Sequence, residues 1–277
     1  MNIEPIQNTR PEQIRRASAA GGFYPAGASR LRVVVDRLLD DAGSLEIKEA
    51  RGILSPHAGY LYSGHIAACA HATLPENATT VYLLGPPHFV RTKGAALSGA
   101  AAFETPLGLV QVAKEIVADL LDECPCFGVD EDAHAQEHSL EVQLPFLQRR
   151  LRSFRIVPIL VDVEGEDSLV EVLSPRLASD PLSVIVASSD LSHFYPSDIA
   201  EALDLSFMDS LVHGDIDSVR SGHACGRSAA TVLAGVAQRL GWRPHALAYA
   251  NSGDVSGDWQ RVVGYAGVAY VDGRVSP

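Results

Sequence analysis

Apolar residues run along this chain in two rhythms. Short apolar stretches cover 52–55, 80–84, 155–161, 183–187, 245–250 and 261–270, and several of them are continuous aliphatic or β-branched runs. Runs of that kind predict strands covered on both faces, because a strand with one wet face alternates instead. Between them, over 31–41, 64–73, 113–123, 140–151, 167–178, 197–212 and 226–240, apolar positions read as amphipathic helices. Leu140, Leu144, Leu147 and Leu151 show the helical spacing, but Pro145 has no amide hydrogen and predicts a late start or a kink. Strands alternating with helices predict an α/β fold, a three-layer sandwich around a mostly parallel sheet. The last two strands have no helix between them, so an antiparallel edge is expected. No repeat, low-complexity tract or linker interrupts the pattern. One domain over 1–277 is expected, with 1–18 as an N-terminal extension.

Composition narrows the class. With 47% hydrophobic residues the chain can fill a large core. No apolar run approaches the ~18 residues that would mark a membrane span. Met1 to Arg16 is polar, without the apolar centre of a signal peptide, so a cytoplasmic protein is expected. The net charge of -12 repels phosphate backbones and anionic lipids, which argues against nucleic acid or membrane as partners. The four cysteines, Cys69, Cys124, Cys126 and Cys225, form no framework and are expected to be reduced thiols. Cys124-Pro125-Cys126 lacks the spacing of a zinc hook.

The chemistry gathers where strands end. Ile53-Leu54-Ser55-Pro56-His57 and Leu83-Leu84-Gly85-Pro86-Pro87-His88 each run from an aliphatic strand through proline to histidine. Proline cannot donate to the ladder, so it stops the strand and delivers the histidine at its carboxyl end. That edge is where open α/β sheets bind ligands. A third strand runs into Ser188-Ser189-Asp190-Leu191-Ser192-His193, bringing Asp190 and His193 to the same edge. Any one of these residues could simply satisfy a turn; several together describe a site. Cys225 precedes a long helical stretch, and at a helix start a thiol is expected to favour thiolate, as metal ligand or as nucleophile.

Several segments then fall into one pattern: Ser55-Pro56-His57-Ala58-Gly59-Tyr60, Gly85-Pro86-Pro87-His88, Glu137-His138-Ser139-Leu140-Glu141, Ser188-Ser189-Asp190, Cys225-Gly226-Arg227 and Tyr249-Ala250-Asn251-Ser252-Gly253-Asp254. In this order, across nearly the whole chain, they resemble the motifs of the Memo family, which is similar to the class III extradiol dioxygenases. The resemblance implies that fold and one mononuclear divalent metal. Fe(II) is its first candidate, and copper or zinc are favoured more once sulfur replaces an oxygen ligand. It implies His57, His88 and Cys225 as ligands, Cys225 standing where the dioxygenases have a carboxylate, and His193 with Asp190 as the acid/base pair. Tyr60 and Arg227 belong to the same motifs and are expected to line the cleft. By the same resemblance the function is a metal-dependent oxidoreductase on an unknown small molecule, or a metal-binding adaptor that holds a peptide. The implied partners are a radical-SAM protein and a second small protein.

Two other readings come from the residues alone. His134-Ala135-Gln136-Glu137-His138 matches the inverted zinc-peptidase pattern, but its first histidine follows a polar acidic loop. His138 and Glu141 are instead expected to reach the cleft as substrate-binding or supporting groups. Cys225, His193 and Asp190 also have the residue types of a Cys-His-Asp hydrolase, a reading that leaves His57 and His88 unused.

Overall fold

The computed structural model describes residues 13–43, 46–162 and 165–273. Its centre is a nine-stranded mixed sheet. Four neighbouring strands run parallel in the order Ala50–Ser55, Ser183–Ser188, Thr80–Gly85 and Arg155–Val161. All six residues of Thr80–Gly85 and of Ser183–Ser188 are buried, as unbroken apolar runs require. Each Leu, Ile or Val removed from water there contributes about 1.5–3 kcal/mol relative to exposure.

The sheet is less parallel than expected. Val262–Asp272 pairs antiparallel with Ala50–Ser55 and with Trp242–Asn251, which confirms the predicted final pair. The short strand His193–Tyr195 also pairs antiparallel with Val262–Asp272. At the other side Ala95–Leu97 pairs antiparallel with Arg155–Val161 and parallel with Phe127–Val129. A second sheet joins Ile14–Arg15, Ala102–Thr105 and Gly108–Gln111. Strands of two to four residues carry too little periodicity to be seen in sequence. Of the expected N-terminal extension, 1–12 lie outside the described residues. Residues 14–15 form a strand and are part of the fold.

Helices cover both faces of the sheet. Gly52 faces Leu233 of the helix Arg227–Leu240, whereas Gly267 faces Ile66 and Ala70 of the helix Tyr60–His71. In the ladder Gly52 is opposite Tyr270, and Gly267, an odd number of residues away, points the other way. The helix expected over 140–151 is two: His138–Glu141 and Leu144–Arg150, with Pro145 in the first turn of the second, where its missing N–H costs nothing.

Cys124 and Cys126 form a disulfide, correcting the expectation of reduced thiols. The turn through Pro125, closed by the Phe127 N–H to the Cys124 carbonyl, sets their Cα atoms 5.2 Å apart, within disulfide reach. Cys69 and Cys225 are free thiols. Among the described residues no helix is long and apolar enough to cross a membrane.

Candidate metal centre

Ser55, Gly85 and Ser188 end three neighbouring parallel strands, so the segments after them leave the same edge of the sheet. His57, His88 and Asp190 are delivered there, as the strand-proline-histidine pattern predicts. His138 reaches the same place from the turn His138–Glu141, held against the end of Thr80–Gly85 by Ser139, whose hydroxyl donates to the Pro86 carbonyl at 2.9 Å. Gly85 permits that approach: a Cβ on it would lie 2.8 Å from both the Ser139 hydroxyl and the Leu140 side chain.

His57, His88 and His138 each place one donor atom within 4.8 Å of the others. Their rings meet edge to face at 5.1 and 5.4 Å around His57, and His88 stacks on His138 at 4.5 Å. Second partners orient two of the rings. Ser188 Oγ donates to the Ser139 carbonyl at 2.7 Å and accepts from Gln143 Nε2 at 2.8 Å. Only a lone pair remains for His57 Nδ1 at 2.9 Å, so that nitrogen carries the hydrogen and Nε2 carries the free pair. His88 Nδ1 lies 2.8 Å from Glu137 Oε1, and the same carboxylate accepts from the backbone amides of His88 and Ser139. Burial alone would raise Glu137, but those donors override it and hold the carboxyl at about 2. An ionised Glu137 must accept from Nδ1–H, again leaving Nε2 free. His138 Nδ1 is buried without a hydrogen bond, 3.4 Å from Glu137 Oε1.

Burial and the nearby His88 push His57 down to about 3; burial and His57 push His138 to about 4. Converging imidazoles, with the outer nitrogens of His57 and His88 anchored on a hydroxyl and a carboxylate, are what a divalent ion requires of its ligands. The donor set fits a metal.

The histidine cluster thus contains one residue that the sequence reading does not count among the ligands. His138, assigned to a supporting role from sequence, is the third imidazole. Cys225 stands beside the cluster, with Sγ 3.2 Å from His57 Nε2. It precedes the helix, which begins at Arg227, and its N–H donates to the Asp190 carbonyl at 3.1 Å. Burial and the adjacent Asp190 raise the thiol, so the expected thiolate is corrected to a neutral S–H in the metal-free protein.

The remaining sequence candidates are placed as follows. Asp190 Oδ1 accepts from the His57 and Ala58 amides at 2.7 and 3.2 Å and so fixes the loop carrying His57. His193 is half-buried near the cluster, close enough for its charge to act on His57 and Asp190; Nδ1 donates to the Leu191 carbonyl at 2.7 Å. Tyr60 is not in the cleft: its hydroxyl donates to the Val142 carbonyl inside the core. Glu141 is fully buried and engaged by Arg15, Ser18, Ala19 and Tyr24. Arg227 opens its helix, and its charge acts on Glu166. His134 and His138 sit in separate short helices, His134 Nε2 lies 3.0 Å from the Ala96 carbonyl, and Glu137 is committed to His88. That removes the peptidase reading. In the segment 249–254 the strand Trp242–Asn251 ends and a short helix begins at Gly253, with the Asp254 carboxylate accepting from the Asn251 amide at 2.9 Å.

An α/β protein with a histidine cluster at the carboxyl edge of its sheet is the class these features define. The model of the family described as "Memo-like protein" matches residues 15–269. A "MEMO1 family protein" from Methanosarcina acetivorans is 39% identical over 272 residues, covering 92% of this chain and 98% of its own length. Another from Sulfolobus acidocaldarius is 35% identical, covering 94% and 100%. This chain belongs to the Memo family. The solved structure of an uncharacterized protein from Escherichia coli K12 aligns at a TM-score of 0.49 and 12% identity, over 78% of this chain and 98% of that one.

Proposed function

We propose that this protein holds one divalent metal ion through His57, His88 and His138, with Cys225 beside it, and uses it in oxidoreductase chemistry on a small organic substrate, in the manner of the class III extradiol dioxygenases. The convergence of three imidazoles, two of them oriented by second partners, carries the reading. A bound metal would supply Lewis acidity and, for Fe(II), affinity for dioxygen. Three imidazoles accommodate iron, copper or zinc. His193 supports a proton-transfer role: with Nδ1–H tied to the Leu191 carbonyl, its Nε2 lone pair is the base. Asp190 contributes by holding His57 in place. Phe89 and Phe194, 60% and 62% exposed beside His88 and His193, offer apolar surface to an organic ligand. The test is metal content after anaerobic Fe(II) or Zn(II) loading. His57→Ala, His88→Ala and His138→Ala should each lose most of the metal, and His193→Ala should keep it while losing substrate-dependent O2 uptake. Retention of metal by all three ligand variants would end the reading.

One observation favours a second reading, a cysteine hydrolase. The Cys225 Sγ–His57 Nε2 contact has nucleophile-base geometry, although with His57 and not His193 as the base. The raised thiol argues against it.

A further inference from the structure

Arg15 lies in the polar N-terminal stretch, yet its side chain is 3% exposed and reaches across the fold to the segment that carries His138. Nε donates to the His134 carbonyl at 3.0 Å and Nη2 to the Glu137 carbonyl at 2.5 Å, while Nη1 pairs with the fully buried Glu141. These three acceptors bracket His138 in the chain, one of them on the residue immediately before it. Glu137 is also the residue whose carboxylate orients His88. The same N-terminal stretch brings Phe23 against the His138 ring, stacked at 4.3 Å, and Ser18, Ala19 and Tyr24 supply the remaining donors to Glu141.

We propose that Arg15 is a positioning residue of the metal centre: its guanidinium, spanning His134, Glu137 and Glu141, locks the turn that presents His138 and, through Glu137, sets His88. The inference rests on the metal-binding reading above. Its logic is geometric. A guanidinium is a rigid planar fork whose donors can serve three separated acceptors at once, whereas an ammonium offers its donors from a single point. Arg15→Lys therefore keeps the charge opposite Glu141 but cannot hold all three groups. Glu141→Gln keeps one oxygen, which can still accept from Ala19 and Tyr24, but puts an NH2 group where the carboxylate accepts from Ser18 and Arg15, and so removes the charge that anchors the fork. Neither variant touches a ligand.

The experiment is titration of the full-length protein with Co(II), following the visible absorption bands, which report ligand geometry, and measuring affinity by competition with a chelator. Loss of groups that orient metal ligands typically weakens binding 10–100-fold. Arg15→Lys and Glu141→Gln are expected to lose affinity by about that factor and to shift the Co(II) bands, while retaining the far-UV spectrum and a cooperative thermal transition. Arg149→Ala, which removes an exposed ion pair with Asp36, should leave both readouts unchanged. Folded Arg15→Lys with wild-type affinity and bands would overturn the inference and leave the metal reading intact. Failure of both variants to fold would assign the pair to folding alone and equally overturn it. A wild-type protein that takes up no Co(II) would instead remove the metal reading, and the inference with it.

Discussion

Cys225 Sγ lies 3.2 Å from Nε2 of His57, while Nδ1 of the same ring is committed to Ser188. The imidazole therefore presents a lone pair to a neutral thiol. Burial and Asp190 raise the thiol, and burial lowers His57 to about 3, so a thiolate-imidazolium pair is disfavoured from both sides. In metal-free protein the rate of Cys225 alkylation by iodoacetamide should still be climbing at pH 9, beyond the ordinary thiol value of about 8.5. A rate that reaches its plateau below pH 7 would show a preformed thiolate and revive the hydrolase.

Glu137 gathers both the amide and Nδ1 of His88 and caps the turn bearing His138. Its charge makes His88 a better donor toward a metal. Glu137→Gln keeps an oxygen for one of these bonds and loses the charge. Zinc affinity, measured against a chromophoric chelator, is expected to fall about 10–100-fold. An unchanged affinity would show that Glu137 only closes the turn.

What the sequence made legible follows from strand length and proline chemistry. The central strands are long and apolar on both faces, so 80–84 and 183–187 could be read almost to the residue, and proline marked His57 and His88. The sequence marks His138 only as a supporting group, because it arrives on a single helical turn 50 residues after His88 and no local periodicity announces its direction. Arg15 gave no signal: one arginine in a polar stretch looks solvated until its three acceptors, 119 to 126 residues away, are folded against it. Proximity to motif histidines predicts Tyr60 and Glu141 in the cleft, but a neighbour in sequence can point into the core. A helix start predicts a thiolate at Cys225, whereas desolvation outweighs any dipole at a site one residue before the cap.

His71 supplies a pH prediction away from the metal centre. It is fully buried, its Nδ1 donates to the Ala67 carbonyl, and Nε2 has no partner. Burial lowers it to about 4, against about 6.5 unfolded. The unfolded chain thus binds the extra proton first, so the stability from keeping His71 neutral is complete above about pH 6.5 and is lost as pH falls toward 4. The slope from one such group approaches about 1.4 kcal/mol per pH unit within that window. Urea unfolding of His71→Leu between pH 7 and 4.5 should give a shallower fall than wild type. Parallel curves would mean that His71 takes up its proton equally readily in the folded and unfolded protein.

Gly226 decides how closely the Cys225 segment can approach the sheet. Its backbone is unremarkable, with φ of -98°, so any residue could adopt it. The limit is space: a Cβ there would lie 2.3 Å from the Ser188 carbonyl oxygen and 2.7 Å from Ser189 Cβ. Neither neighbour can yield easily, since Ser188 ends a buried strand and holds His57, and Ser189 Oγ accepts from the Gly226 amide at 2.9 Å. Gly226→Ala must therefore push residues 225–227 away from the strand, at a cost of about 1–3 kcal/mol typical of overpacking. The urea midpoint should drop with the slope unchanged, which marks lost stability without a change in the surface exposed on unfolding. Gly128→Ala provides the contrast, because nothing lies within 4 Å of the added carbon, and it should stay within about 0.5 kcal/mol of wild type. The displacement should also reach the site: Cys225 would move from His57, and the Co(II) bands would change if sulfur contributes to the metal environment. Gly226→Ala as stable as wild type would mean that the strand end and the Cys225 loop separate freely, and that the contact between Cys225 and His57 is not imposed by packing.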